Sequence, residues 1–256
     1  MTDAVQAFYD GLAADYHLLF ADWHASVRRQ AGVLDGLIRA ELGAGPHAIL
    51  DGACGIGTQA IGLALAGHRV HATDLSPVAI ERARREAIGF GAIVSITVAD
   101  LRALAEQVPG AFDVVLACDN ALPHLLTDED VRGAVGSMAA KLRPGGLFLA
   151  SIRDYDQIVR ERPGGEGPRV IDDADGRRIA FQVWDWADDG CRYRLHQFLL
   201  RHTGDGWQID HFDTEYRALL RDDLAVAAHG AGLVNVRWHE PKDGGYYQPI
   251  VTARKR

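Results

Sequence analysis

The stretch from Ile49 to Thr58 combines a carboxylate with small residues at a spacing suited to binding a nucleotide-type cofactor. A short apolar strand ends in Asp51, and a helix is predicted to begin at Thr58. The turn between them is rich in small residues, among them Ala53, Gly55 and Gly57. A strand, a tight loop and a helix N-terminus are the usual architecture of such a site. The next apolar run ends in Asp74, 23 residues after Asp51, where an acidic side chain suits a bidentate grip on ribose hydroxyls.

The charges around this turn favour S-adenosylmethionine (SAM) over a dinucleotide. Dinucleotide sites use G-x-G-x-x-G so that the backbone can approach a pyrophosphate, whereas here Ala53 replaces the first glycine and Asp51 precedes the turn. A fixed negative charge beside a pyrophosphate is repulsive and poorly screened in a cleft. SAM carries no phosphate, and its ammonium and sulfonium are positive, so carboxylates become favourable. The pattern predicts SAM as methyl donor, with S-adenosylhomocysteine as its product.

Composition and charge narrow the class of protein. The 256 residues, 24% charged and 48% hydrophobic, are most simply one α/β domain with an elaboration. The net charge of −8 argues against a nucleic-acid partner, because phosphate binding normally leaves a basic stripe. No apolar run approaches the ~20 residues needed to cross a bilayer, and no signal peptide is evident. We therefore expect a cytoplasmic protein without a membrane or nucleic-acid partner.

Cysteine and histidine spacing gives no sign of a metal site. The three cysteines (Cys54, Cys118 and Cys191) are far apart and odd in number, which is typical of a reduced protein. No histidine pair has ligand spacing either. We assign no metal.

Strands and helices alternate through the first part of the chain. Helical periodicity over about Val5 to Leu42 predicts two helices, with a turn at residues 22–26 that could fold over a ligand. Five strands separated by helices follow, and such alternation indicates a mostly parallel sheet with helices on both faces. The five predicted strands are Ile49–Leu50, Arg69–Thr73, Ile93–Val98, Phe112–Ala117 and Leu147–Ile152.

The pattern changes after Tyr155. A loop is predicted over residues 162–168, followed by three antiparallel strands within residues 177–214, and then by a helix and two closing strands. The fold class is thus a Rossmann-like, mostly parallel seven-stranded sheet with helices on both faces and an inserted antiparallel meander. We divide the single domain 1–256 into a helical N-terminal lid (1–42), a SAM-binding core (43–160), the antiparallel insertion (161–216) and a core completion (217–256).

Three stretches, in order along the chain, resemble the glycine N-methyltransferase group of the class I SAM-dependent methyltransferases and its bacterial small-molecule relatives. The first is D-G-A-C-G-I-G at 51–57, with the alanine that this group also prefers. The second runs from F-D-V-V at 112–115 to D-N-A-L-P-H-L at 119–125, similar to the group's G-N-S-F-x-H-L. The third runs from R-P-G-G at 143–146 to S-I-R-D-Y-D at 151–156, similar to its H-R-N-Y-D. Asp119 replaces the group's glycine and Asp154 its asparagine, which argues against glycine itself as substrate.

The resemblance assigns the cofactor residues. Asp51 would accept from the SAM ammonium, Asp74 would hold the ribose diol, and Asp100 would accept from the adenine amino group. Helix capping is an open alternative for both Asp74 and Asp100. The remaining cofactor residues implied by the resemblance are Ala53, Gly55, Gly57, Leu75, Leu101, Cys118 and His124.

Candidate substrate and catalytic residues follow the fourth and fifth strands, where α/β sheets bind ligands. By resemblance Asn120 faces the substrate, His124 borders the cofactor, and Arg153 grips a substrate carboxylate. A salt bridge to Asp154 or Asp156 is the alternative for Arg153. Asp119 either binds a basic substrate beside the sulfonium or turns to solvent.

Aromatic and polar residues elsewhere are weaker candidates. Tyr16, Trp23 and Arg29 could form the N-terminal lid over the cofactor, although their spacing fits core and surface positions equally well. Four residues are candidates to face the substrate: His196, Tyr216, Tyr246 and Tyr247. Each of them, taken alone, fits a structural position as well.

Methyl transfer from a sulfonium is an in-line displacement whose main demand is a correctly placed lone pair in a dry site. An amine needs only to be neutral, whereas a phenol or enol needs a base. The sequence identifies no clear base, although His124 and His196 are candidates. We therefore predict N-methylation of an amine, guanidine or ring nitrogen of a small molecule. The alternatives are O- or C-methylation, SAM binding without turnover, and an NAD-linked oxidoreductase. The sequence leaves the substrate, the number of methyl groups and the role of the insertion open, and it allows a homodimer.

Overall fold

A computed structural model describes residues 2–174 and 176–256 of the chain. The α-helices are α1 (Thr2–Leu12), α2 (Trp23–Leu42), α3 (Thr58–Leu65), α4 (Pro77–Phe90), α5 (Leu104–Gln107), α6 (Asp128–Lys141), α7 (Tyr155–Glu161), α8 (Arg221–Gly230) and α9 (Pro241–Gly244). The strands are β1 (Ala48–Asp51), β2 (Arg69–Asp74), β3 (Val94–Val98), β4 (Phe112–Ala117), β5 (Leu142–Ser151), β6 (Gly165–Asp173), β7 (Gly176–Trp186), β8 (Arg192–Thr203), β9 (Gly206–Arg217), β10 (Leu233–His239) and β11 (Ile250–Lys255).

Seven strands form the central sheet, in the order β10-β11-β5-β4-β1-β2-β3. Strands β1 to β5 pair in parallel, and β11 runs antiparallel to both β5 and β10. The strand order reverses between β1 and β4, which is the switch point where doubly wound sheets bind ligands outside their carboxyl ends. The predicted fold class, a mostly parallel seven-stranded sheet, is confirmed.

Local capping explains where the helices begin. The Ser76 side chain accepts a hydrogen bond from the Ala79 N–H at 2.9 Å, and Pro77 occupies the first turn of α4. Thr127 caps α6 by accepting from the Asp130 N–H at 3.1 Å. Both caps lie on the ligand-binding edge of the sheet, so the helices they start are fixed relative to the site.

The N-terminal helices differ from the prediction at their junction. The turn expected over residues 22–26 is the first turn of α2, because the Asp22 carboxylate accepts from the Ala25 N–H at 2.8 Å and caps the helix. A single 3₁₀ turn, Tyr16–Leu19, lies between α1 and α2 instead. The predicted fifth strand begins at Leu147, but β5 begins at Leu142, so the R-P-G-G stretch at 143–146 lies inside the strand.

The meander forms a second, antiparallel sheet in the order β6-β7-β8-β9. Its first strand was predicted to be partly loop, and this part of the prediction is wrong: β6 begins at Gly165. The strand is an edge, nearly all of it is exposed, and its pairing is irregular between Glu166 and Arg169 around Pro168. Glycine, proline and charged residues are common on edge strands and also in loops. The composition of this segment therefore predicts a loop where the structure has an edge strand.

The inner face of the meander is continuous with the core of the domain. Trp184, Tyr193 and Tyr216 are buried in the same apolar cluster as Val115 and Phe148 of the central sheet. This packing closes the ligand-binding edge of the sheet with an aromatic wall. Within the described residues, none of the helices has the length and apolar character that crossing a membrane would require.

Candidate active site

A cleft of about 970 Å³ opens at the carboxyl ends of β1, β2 and β4, and we call it the β1 cleft. It brings together ten of the residues that the sequence singled out: Tyr16, Ala53, Gly55, Asp74, Leu75, Asp100, Leu101, Cys118, Asp119 and His124.

The loop after β1 is held by the Asp74 carboxylate. Gly55 N–H donates to its Oδ2 at 2.8 Å, and Ser76 N–H donates to its Oδ1 at 2.9 Å. Burial raises the pKa of Asp74, and these two N–H donors oppose the rise. Gly57, at φ 98°, caps α3 in the left-handed region, where an added Cβ would lie 2.8 Å from the Ile61 Cδ1. Asp74 therefore shapes the loop and at the same time lines the cleft.

Asp51 has the properties expected of a carboxylate that binds a cationic group. Its side chain is fully buried at the end of β1, and its Oδ1 accepts from the Ala53 N–H at 3.3 Å. Its Oδ2 has no hydrogen-bond partner. Burial raises the pKa of Asp51 to about 8, and the nearby carboxylates of Asp74 and Asp119 contribute to the rise. An orphaned, buried carboxylate oxygen fits the ammonium group of SAM.

At the other end of the cleft, an arginine that sequence reasoning missed lies between two carboxylates. Arg102 pairs with Asp100 at 2.7 Å and with Asp130 at 2.8 Å. Although partial burial opposes the effect, the guanidinium holds the pKa of Asp100 below its usual range. Asp130 is 28 positions from Arg102 and on another helix, so no local pattern predicts the pair.

His124 lies at the wall between the β1 cleft and the meander. Its Nε2 is 2.9 Å from the hydroxyl of Tyr9, and its ring centroid is 4.1 Å from that of Tyr216. Its Nδ1 is buried without a partner. Burial and then the charge of Arg153 lower the pKa of His124 to about 3, so the imidazole is neutral at physiological pH. Sequence reasoning missed Tyr9, which looked like one more position on a helical face.

A second cavity, of about 1640 Å³ including its open mouth, lies between the N-terminal helices, the meander and the residues before β11, and we call it the meander chamber. The sequence candidates that line it are Arg29, Asn120, Arg153, Tyr216 and Tyr247. Tyr9, Tyr16 and Asp119 line both cavities and so form their shared wall.

Arg153 is fixed by groups from the meander. Its guanidinium donates to the Tyr193 hydroxyl at 2.9 Å and to Gln182 Oε1 at 3.0 Å, and it lies 4.9 Å from the centroid of Trp184. Glu166 approaches it to 3.6 Å. These contacts position a cation in the chamber; the carboxylates of Asp154 and Asp156 pair with Arg221 instead.

Asn120 joins the end of β4 to the end of β5. Its Nδ2 donates to the Tyr155 hydroxyl at 2.9 Å, and its Oδ1 accepts from the Arg153 N–H at 3.1 Å. Both polar atoms of the amide therefore have protein partners. The residue is left-handed, at φ 67°, a conformation that asparagine tolerates better than most side chains.

Asp119 has the same left-handed backbone, at φ 57°. Its Oδ1 accepts from the Tyr246 hydroxyl at 2.9 Å and from the Tyr247 hydroxyl. Burial raises the pKa of Asp119, which the tyrosine hydroxyls and Gln59 oppose. A carboxylate has about four lone-pair sites, so two hydroxyls leave it able to bind a further donor.

Five predicted site residues lie outside the lining of both cavities: Trp23, Asp51, Gly57, His196 and Tyr246. The Trp23 indole N–H donates to Thr58 Oγ1 at 3.0 Å, which attaches α2 to the start of α3. Tyr246 supports Asp119 from behind and donates to Gln30 at 2.7 Å. His196 lies on the outer face of the meander, 3.0 Å from Asp185 Oδ2 and 2.9 Å from His211 Nε2, because alternation along β8 turns it away from buried Leu195 and Gln197.

Comparison with known proteins agrees with this arrangement. A family model described as a methyltransferase domain matches residues 49–146. The glycine/sarcosine N-methyltransferase of Parasynechococcus marenigrum (strain WH8102) is 30% identical over 196 residues, which cover 71% of this chain and 66% of that relative. The ubiquinone biosynthesis O-methyltransferase of Methylocella silvestris is 42% identical over 103 residues, 40% of this chain and 38% of that one. The chain thus spans less than two thirds of the length of both relatives.

A solved structure shares the fold over nearly the whole chain. The SAM-bound amino pentose methyltransferase CalS10 from Micromonospora echinaspora has a TM-score of 0.76, with 21% identity, over 90% of this chain and 92% of that one. The matched methyltransferase domain, the glycine/sarcosine N-methyltransferase relative and the shared fold together support the predicted class, a class I SAM-dependent methyltransferase, and SAM as its cofactor.

Proposed function

We propose that this enzyme transfers the methyl group of SAM to a nitrogen atom of a small molecule. The observation that carries the proposal is the shared wall between the two cavities. The β1 cleft has the carboxylates for a cationic nucleoside, and the meander chamber, which meets it at Tyr9, Tyr16 and Asp119, has room for an acceptor. Because the two cavities adjoin at these residues, an acceptor in the chamber would lie next to the methyl group of SAM in the cleft.

Nitrogen is favoured over oxygen because the site lacks an imidazole suited to deprotonating a phenol. Among the described residues that line the two cavities, His124 is the only imidazole. Its pKa of about 3 makes it a weak proton acceptor, and Tyr9 occupies its Nε2. His196, the other candidate base, lies on the outer face of the meander, beside Asp185.

When bound, SAM supplies an electrophilic methyl group on a positively charged sulfur. Asp51 would bind the ammonium group, Asp74 the ribose, and Leu75 and Leu101 would contact the adenine. Tyr9 and Tyr16 cover the cleft from the N-terminal segment and exclude water from the reacting atoms. Arg153 and Asn120, both fixed by hydrogen bonds, would orient the acceptor in the chamber.

The relatives support this choice unequally. The glycine/sarcosine N-methyltransferase alignment extends over 71% of the chain. The O-methyltransferase alignment spans only 40% of it. O-methylation is the second candidate, and an observation that favours it is the pair of tyrosine hydroxyls and the carboxylate at the wall, which could accept a proton from an acidic alcohol.

The test is mass spectrometry of reactions with methyl-labelled SAM and a panel of amino acids, guanidines, heterocyclic amines and phenols, with SAM binding measured by calorimetry in the same preparation. We expect label on nitrogen. Label on oxygen alone would refute the proposal and leave the enzyme class intact. Failure to bind SAM would contradict the assignment of the β1 cleft.

We also propose that the enzyme acts in the cytoplasm and without a nucleic-acid partner. The net charge of −8 supports the second point. Three free cysteines, two of them buried, support a reducing compartment. Light scattering of the purified chain decides whether it forms the homodimer that the sequence allows.

A further inference from the structure

Asp119 differs from the other carboxylates of the meander chamber in having no cationic partner. Asp154 pairs with Arg221 at 3.2 Å, and Glu166 lies 3.6 Å from Arg153. In the described part of the chain, no arginine, lysine or histidine forms an ion pair with Asp119, whose partners are the neutral hydroxyls of Tyr246 and Tyr247. The carboxylate at the shared wall of the two cavities is therefore the one that still needs a positive charge.

The backbone of Asp119 is a second reason to consider its carboxylate. Its φ of 57° lies in the left-handed region, which few residues other than glycine adopt, although aspartate and asparagine tolerate it better than most. A side chain held against this preference is a reason to look for function. The carboxylate lines the β1 cleft and the chamber at once, so it lies where an acceptor would approach the methyl group.

The groups that face Asp119 from the neighbouring elements are neutral or acidic. They are Tyr16, Asp51, Gln59, Cys118, Tyr246 and Tyr247. Asp51 is largely protonated at pH 7, since burial raises its pKa to about 8, and none of the six is a cation that would compete with a ligand. At Asp119 itself this environment favours a cationic group of the acceptor, whereas the three arginines of the chamber, Arg29, Arg153 and Arg169, line other parts of it.

Resting on the proposed N-methylation, we propose that Asp119 binds the ammonium form of an aliphatic amine and removes one proton from it before methyl transfer. The proton moves from nitrogen to the carboxylate, which leaves a neutral amine and a carboxylic acid. The nitrogen lone pair then forms a bond to the methyl carbon while the carbon–sulfur bond breaks with its electrons on sulfur. The product is the acceptor with an N-methylated ammonium group. Asp119 releases its proton to water when this product leaves.

Aliphatic amines fit this role better than the other nitrogen nucleophiles. Burial raises the pKa of Asp119, which brings its basicity closer to that of an amine. A guanidinium would bind the carboxylate, but it is too weak an acid to give up its proton. A weakly basic aromatic amine is neutral at pH 7 and gains little from a carboxylate. The inference therefore narrows the acceptor to a primary or secondary aliphatic amine.

The test compares isosteric pairs on wild type and on Asp119→Asn. The probes are phenethylamine and cyclohexylamine against phenethyl alcohol and cyclohexanol, with binding to the S-adenosylhomocysteine complex measured by calorimetry and methyl transfer by mass spectrometry. We expect wild type to bind an amine at least about tenfold more tightly than its alcohol, since charge-assisted bonds are worth that much. In Asp119→Asn the preference should fall below about threefold, while SAM affinity stays within about threefold.

Asp185→Asn is the matched control, because it makes the same change at an exposed carboxylate of the meander that lines neither cavity; it should retain the amine preference. Asp119→Gly, which suits the left-handed backbone, is the second variant if Asp119→Asn does not fold. The pH dependence adds a readout that a structural role would not produce. Since protonation of Asp119 removes its charge, amine affinity should weaken as the pH falls in wild type, and this dependence should vanish in Asp119→Asn.

The outcomes separate the two proposals. Amine preference or methylation that survives in Asp119→Asn overturns the role of Asp119 and leaves N-methylation intact. Equal binding of amines and alcohols by wild type, or no binding of any amine at about 10 mM, far above the range expected for a specific site, also overturns it. Methylation of alcohols or phenols but not of amines overturns the proposed function itself.

Discussion

The β1 cleft and the meander chamber share a wall, yet they are built in different ways. Apart from two tyrosines and a valine of the N-terminal segment, the cleft is lined by residues 52–130, which follow consecutive parallel strands. The chamber takes its lining from segments scattered along the chain, between Phe8 and Pro249. The cleft is therefore a local product of the strand–loop–helix repeat, whereas the chamber exists only after the meander and both chain ends have packed.

This difference divides the energetics of the two sites. In the cleft, backbone N–H groups of Gly55 and Ser76 hold the Asp74 carboxylate. In the chamber, the hydrogen bonds are between side chains. Arg153 donates to Tyr193 and Gln182, and Asn120 donates to Tyr155. We expect variants in the cleft to change cofactor affinity and variants in the chamber to change stability and acceptor use. Variants in each cavity test this division.

The largest effect is expected for Asp74→Ala. The change removes the proposed ribose contacts and the acceptor of two loop N–H groups, and charged hydrogen bonds are worth about 1.5–3 kcal/mol each. SAM affinity measured by calorimetry should fall at least about 100-fold. Asp185→Ala, an exposed carboxylate on the meander, should leave that affinity unchanged. A loss of less than about tenfold in Asp74→Ala would show that the cleft does not depend on this carboxylate.

Arg153→Ala tests the chamber. It leaves the Tyr193 hydroxyl and Gln182 without a buried donor, which should lower the free energy of unfolding by about 2 kcal/mol. SAM affinity should change less than about threefold, because Arg153 does not line the β1 cleft. Urea denaturation and calorimetry on the same preparations measure both quantities. A large loss of SAM affinity with unchanged stability would reverse the proposed division.

The same difference explains what the sequence could predict. The alternation of strands and helices and the loop at 51–57 follow from local patterns, and so does the cap at Thr127, since each depends on residues close in sequence. The contact of Tyr9 with His124 and the pairing of Arg102 with Asp130 depend on packing between distant elements. No spacing in the sequence predicts either contact. His196 was a candidate because a histidine on an alternating strand can face either side; register alone decides, and it places His196 outside.

Gly62→Ala tests the rigid packing behind the β1 cleft. An added Cβ would lie 2.5 Å from the Ala31 Cβ and 2.7 Å from the Val27 carbonyl oxygen, so α2 and α3 must separate. Overpacking of this kind should cost about 1–3 kcal/mol in unfolding free energy. Gly133→Ala in α6, where an added Cβ meets no atom within 4 Å, should instead stabilise the protein by about 0.5–1 kcal/mol. Equal effects of the two changes in urea denaturation would contradict the close approach of α2 and α3.

Asp51 predicts a pH effect on the cleft alone. Its pKa of about 8 lies above that of an unfolded aspartate, so its contribution to stability is greatest at low pH and is lost as the pH rises toward 8. Binding of the SAM ammonium requires the carboxylate, so binding at pH 7 should release about one proton, and affinity should rise up to about tenfold between pH 6 and 7. Calorimetry in buffers of different ionisation enthalpy measures the proton. Asp51→Asn should release none, and proton release that persists in this variant would assign the effect to another group.

The smallest effect, and the finest test of the comparison, is expected for Trp23→Phe. Trp23 lines neither cavity, but its indole N–H donates to Thr58 Oγ1 at the first residue of α3, where the loop of the β1 cleft ends. Loss of this bond should lower the unfolding free energy by about 1 kcal/mol and leave SAM affinity within about threefold, because Asp74 and not α2 holds the loop. Thr58→Val removes the same hydrogen bond by deleting its acceptor. The double variant should therefore lose no more unfolding free energy from this bond than either single variant does. A drop of tenfold or more in SAM affinity for Trp23→Phe would mean that the N-terminal helices help to form the cleft, and that the two cavities are less independent in construction than their linings indicate.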